Sequence, residues 1–106
     1  MIPLRIQWRK ARHAYEQALN IEQSAAYTWV KLADVYSRLD EKDKAISALN
    51  RAETLAPEDG RVWAGVAEVE KKLGDDAAVI HAYNRALAIA PNDVSILLDL
   101  ASVMSH

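Results

Sequence analysis

Three histidines and 15 acidic side chains are the groups in this chain best suited to bind a metal or move a proton near neutral pH. His13 and His81 are 68 positions apart and His106 is the last residue. With no cysteine present, thiolate zinc sites, disulfides and cysteine nucleophiles drop out together. Carboxylates cluster at Asp40-Glu41-Asp43 and Asp75-Asp76. General acid–base work needs such a group in an enclosing pocket with a raised pKa. These stand where apolar-periodic segments begin, and there a carboxylate serves as helix cap and partner of the helix dipole. No P-loop, G-x-S-x-G, H-E-x-x-H or EF-hand pattern occurs. The expectation is a chain without catalytic residues, metal or cofactor.

The elements that position these groups follow from one offset. Shifted by 34, Trp29 falls on Trp63, Ala33 on Ala67, Leu39 on Leu73, and Asn50-Arg51-Ala52 on Asn84-Arg85-Ala86. Leu55-Ala56-Pro57 falls on Ile89-Ala90-Pro91, and Leu97, Leu100 and Ala101 fall on Trp63, Val66 and Ala67. Within each unit the apolar spacing is helical: Trp29, Leu32, Ala33 and Tyr36 share one face, as do Ala45, Leu49, Ala52 and Leu55. Asp40 is expected to cap the second helix of its unit, and Gly74 to close the helix before it. Pro57 and Pro91 end theirs. The spacing predicts six helices, over about 3–21, 25–38, 41–55, 60–73, 76–89 and 93–105. In the first of them, Pro3 suits the opening position, and Leu4, Trp8, Ala11, Tyr15 and Ala18 form a stripe. His13 and His81, two units apart, then lie too far apart to share a metal, at about 10 Å per unit.

Trp29, Leu32, Ala33, Tyr36, Ala45, Leu49 and Pro57, repeated as Trp63, Val66, Ala67, Val79, Tyr83, Ala86 and Pro91, resemble the tetratricopeptide repeat (TPR) family. Departures are Leu49 in place of an aromatic, and Glu70 where Tyr36 stands one unit earlier. The resemblance implies an all-α, right-handed solenoid of helical hairpins. It divides the single domain into a second-helix half (1–24), two full repeats (25–58 and 59–92) and a first-helix half (93–106). It implies a non-catalytic platform whose first helices line a concave groove for a protein or peptide partner. The groove columns would be Tyr27, Arg61 and Ser95; Val30, Ala64 and Leu98; Asp34, Glu68 and Ser102; with Arg38 and Lys72 on a basic edge. Such a groove suits apolar anchors with one or two Lys or Arg residues. Val30, Asp34, Ala64 and Glu68 stand where chaperone-tail receptors of the family place Lys, Asn and Arg, so that subtype is excluded. The competing reading makes Asp34 and Glu68 ordinary solvated helix charges.

The charge, 13 basic against 15 acidic residues, argues against a general nucleic-acid binder. Residues 11–19 resemble the half-a-TPR units of RNA-processing scaffolds, but Asn50 and Asn84 break that pattern later on. No apolar leader precedes Arg5, Arg9, Lys10 and Arg12, and no stretch approaches the roughly 20 apolar residues of a membrane span. A soluble module of unassigned compartment is expected, as part of a longer repeat protein. Ile96, Leu97, Leu100 and Met104 mark the last helix as an oligomer contact. Head-to-tail stacking and a two-fold dimer both remain open, the former favoured by nine basic and six acidic residues in 1–51 against four and nine in 52–106.

Overall fold

A computed structural model describes residues 4–105, so Pro3 and His106 lie outside the described residues. The helices are α1 (Leu4–Ile21), α2 (Ala26–Arg38), α3 (Lys42–Leu55), α4 (Gly60–Leu73), α5 (Asp76–Ile89) and α6 (Val94–Met104). Every boundary falls within one residue of the sequence expectation, and no strand occurs among the described residues.

Packing follows the alternation of small and large side chains. α2 packs on α3 and α4 on α5 as hairpins, while α2 also lies along α4. Ala33, Ala45, Ala52, Ala67 and Ala86 are wholly buried where these backbones approach. Trp63 and Tyr83 fill the wider gaps, with Trp29 and Tyr15 half-buried against the same core. One operation relates the tryptophans. Trp29 Nε1 donates to the Gln23 carbonyl and Trp63 Nε1 to the Pro57 carbonyl, each at 2.9 Å. The guanidinium of Arg51 lies 5.5 Å from the first ring and that of Arg85 5.3 Å from the second. Donor, acceptor and cation all repeat at the same offset.

Helix ends are set residue by residue. Asp59, Asp75 and Asp93 cap α4, α5 and α6, accepting from the amides of Arg61 (2.9 Å), Ala78 (3.1 Å) and Ile96 (3.2 Å). Asp40 does not cap α3, contrary to expectation. It closes α2 with φ of 60°, the role that Gly74, at φ 84°, plays after α4. In both turns the next amide bonds back to the helix: Glu41 to Tyr36 at 2.9 Å, Asp75 to Glu70 at 3.3 Å. Glu41 occupies the cap position of α3 but makes no cap bond. Its carboxylate is taken by Arg12 at 2.6 Å and Lys44 at 3.1 Å. Partial burial alone would raise its pKa, but these two cations outweigh that and leave it lowered.

The stripe on α1 is also corrected. Leu4 and Ala18 are exposed, and the face that meets α2 runs through Trp8, Ala11, Tyr15 and the buried Leu19. Ala18 corresponds to Ala52 and Ala86, which are buried against the first helix of their own hairpins. α1 packs against α2 on one side only.

Candidate functional site

Two first helices set side by side leave a groove wherever the side chains between them are short. At Gly65 an added Cβ would come within 2.8 Å of Val30 Cγ1, so only glycine lets α2 and α4 approach this closely. Beyond that contact a cavity of about 470 Å³ opens between α2, α4 and α6. Tyr27, Arg61, Ala64, Glu68 and Ser95, all named among the expected columns, line it together with Asp93, Ile96 and Asp99. A smaller cleft of about 190 Å³ runs between α2 and α4 past Asp34 and Lys72. Tyr27, Gly65 and Glu68 border both, so the two form one trough.

Tyr27 sits at its centre, 37% exposed. The Arg61 guanidinium lies 4.8 Å from its ring centroid and Lys31 Nζ 5.2 Å. Each such contact is worth about 0.5–1 kcal/mol at an exposed site. A partner side chain reaching this ring therefore meets a surface already flanked by cations.

The acidic column behaves less simply than its residue types suggest. Asp34 accepts from Arg38 Nε at 3.3 Å through one oxygen and from Lys72 Nζ through the other. Both cations of the expected basic edge thus pair with Asp34, one of the two acids of the expected column. Arg38 also stacks on Trp8, 4.4 Å from its ring, and borders neither cavity. Glu68 accepts the Tyr83 hydroxyl at 2.6 Å and lies 3.4 Å from Lys71 Nζ. Burial, and then this carboxylate, push the Tyr83 phenol pKa up, so Tyr83 is a donor at any physiological pH. Tyr36 is raised in the same way by burial and by Glu16.

Besides Arg38, three expected site residues need correction. Val30 is 4% exposed, because the close approach at Gly65 closes over it; it is floor rather than open column. Leu98 is 65% exposed but borders neither cavity. Ile96, expected at an oligomer contact, is 5% exposed within the chain's own core. The other three of that set remain at the surface: Leu97 at 45% and Met104 at 64%, with Leu100 half-buried. Asp93, Asp99 and Gly65 escaped the sequence reading. Gly65 breaks no periodicity, Asp99 lies one turn after Ser95, and Asp93 is the cap of α6 rather than a position on its face. The described residues hold no cluster of His, Cys, Asp or Glu arranged to bind a metal. No described helix is long and apolar enough to cross a membrane.

Comparison with known proteins bears on the same frame. A family model for the tetratricopeptide repeat matches residues 7–69, and a second matches residues 60–103. The crystal structure of MamA superposes with a TM-score of 0.72 at 20% identity, covering 92% of this chain. The chain spans 57% of the length of that protein. No curated protein matches the sequence.

Proposed function

From the premise that the chain belongs to the tetratricopeptide repeat family, a class of protein–protein interaction modules, we propose that it is a non-catalytic scaffold holding a peptide or helix of a partner in the α2–α4–α6 trough. The observation that carries this reading is the trough itself: an apolar floor of Ala64 and Ile96 beside Tyr27, rimmed by Glu68, Asp93 and Asp99. Arg61, stacked on Tyr27, is the single cation bordering the larger cavity among the described residues. A segment with an apolar anchor and a Lys or Arg matches that rim. The basic side chain goes to the end rimmed by Glu68, Asp93 and Asp99, since Asp34 is held by two cations, Arg38 and Lys72, against one, Lys71, beside Glu68.

A random-peptide display library panned against the purified chain tests this. The expected enrichment is for apolar residues with neighbouring Lys or Arg, and capture should fall about tenfold or more in Glu68→Lys. Asp34→Lys should have the smaller effect. Enrichment indifferent to both substitutions, or none, refutes the groove reading.

A second reading is assembly through α6. It is favoured by Leu97, Leu98 and Met104, which α6 presents at 45%, 65% and 64% exposure.

A further inference from the structure

Positions 31, 65 and 99 form one column across the trough, a residue each from α2, α4 and α6. The column reads Lys31, Gly65, Asp99: a cation, a gap and a carboxylate. Lys31 borders the smaller cleft, Asp99 the larger cavity, and Gly65 both, so the two charges stand at opposite ends of the trough. Neither enters an ion pair among the described residues. Lys31 is exposed, with Nζ 5.2 Å from the Tyr27 ring. Their neighbours reinforce each sign. Beside Lys31, Asp34 is shared by Arg38 and Lys72, which leaves that group of three net positive. Around Asp99, the carboxylates of Asp59, Glu68 and Asp93 border the same cavity. Asp59 and Asp93 each lend an oxygen to a helix amide but keep their charge. Arg61 and the Lys71 beside Glu68 offset only part of this end. The wholly buried Tyr83 donates its hydroxyl to Glu68 at 2.6 Å and faces Asp99 as well, so carboxylates from α4 and α6 flank one floor atom.

We propose that the trough is electrically polarised to take an extended partner segment with opposite charges at its two ends: an Asp or Glu at Lys31, an apolar side chain over Ala64 and Gly65, and an Arg or Lys at Asp99. This rests on the groove reading above and adds to it the acidic end and the spacing. Two helix spacings separate Lys31 from Asp99, at least about 18 Å. An extended chain advances about 3.3 Å per residue, so its acidic and basic residues stand about five or more positions apart. Complementary charge along the groove steers such a segment in and penalises one that carries a single sign throughout. A uniformly basic segment meets Lys31 and the net positive group around Asp34; a uniformly acidic one meets Asp99 and its neighbours.

Peptides enriched from the display library, resynthesised with alanine at the acidic or at the basic position, test this by double-mutant cycles against Lys31→Gln and Asp99→Asn. Both substitutions are close in size to the parent residue, so circular dichroism should be unchanged. The enriched peptides should carry both signs at the stated spacing. Losing the acidic residue should weaken binding to the parent chain about three- to tenfold and leave binding to Lys31→Gln unaltered. Losing the basic residue should do the same with Asp99→Asn, and the crossed combinations should be additive. If the peptides carry no acidic residue, or Lys31→Gln binds them as the parent does, the polarity is wrong while capture that still depends on Glu68 keeps the groove reading. Coupling of both peptide charges to the same end of the trough overturns the proposal too. If nothing is enriched, the polarity and the groove reading fall together.

Discussion

In the first hairpin Tyr36 reaches from α2 to α1, and its hydroxyl donates to Glu16 at 2.7 Å. One period later Glu70 holds that register position, and one of its carboxylate oxygens is buried without a hydrogen-bond partner. Around this difference the two hairpins are otherwise alike: the same indole–carbonyl bond, the same arginine over the indole, the same buried alanines. What repeats is what the hairpin needs in order to stack. The departures mark where one unit has drifted from the packing optimum while the shared frame holds it in place.

The shared frame should break first and hardest. Trp63 is 6% exposed and its partner Trp29 only half-buried. Trp63→Ala is expected to cost about 3–5 kcal/mol, through lost contacts and the cavity left behind. Trp29→Ala should cost about 1–2 kcal/mol, because less of its surface leaves water on folding. Urea unfolding followed by circular dichroism measures both. Equal losses would mean that the two hairpins are loaded alike after all.

The next effect tests the departure at Glu70. Burial, and then the neighbouring carboxylates of Glu53 and Asp75, raise its pKa from 4.5 to about 7. Glu53 is itself raised by burial, partly offset by His81. For a raised carboxyl the sign is fixed. Below pH about 4.5 both folded and unfolded chains hold the proton and no penalty exists. Between 4.5 and 7 the unfolded chain releases it while the folded chain keeps it, so stability falls as pH rises and levels off above 7. Glu70→Gln should remove that slope, gaining about 2–3 kcal/mol at pH 8 and almost nothing at pH 4. Unfolding midpoints across that range read it directly; parallel pH profiles for parent and variant would show that Glu70 ionises without cost.

Much of this was legible in the residues, for physical reasons. The period of 34, the six helices and the buried alanines are encoded by side-chain size and spacing, which hold wherever the helix sits. The trough was legible as columns, because Tyr27, Arg61, Ala64 and Glu68 project from equivalent turns of α2 and α4. Its electrostatics were not. Asp34, Arg38 and Lys72 looked like an acidic column beside a basic edge, yet they neutralise one another across 38 positions of sequence. Nor was the burial of Val30, which depends on how near α4 comes once residue 65 has no side chain. Periodicity gives the face of a helix; the distance to its neighbour is a property of the packed pair.

The smallest effect lies at the turns. Asp40 and Gly74 both close a first helix in the left-handed region, but only glycine adopts it without steric cost. An L-residue there costs about 1–2 kcal/mol, less for Asp, whose short side chain bonds locally. Against this, Asp40 pairs with Arg5 at 3.1 Å, both side chains at least half exposed, a contact worth under about 1 kcal/mol. Backbone relief should therefore win, and Asp40→Gly should stabilise by about 0.5–1 kcal/mol. Gly74→Asp is the mirror test. A Cβ at Gly74 would meet nothing within 4 Å, so any loss there comes from the backbone alone. The two changes should be opposite in sign, with Gly74→Asp the larger by whatever the Arg5 pair contributes. If Asp40→Gly instead destabilises, the Arg5 contact tethers the start of α1 more strongly than an exposed ion pair ordinarily does, and repeating the measurement in high salt would remove the difference.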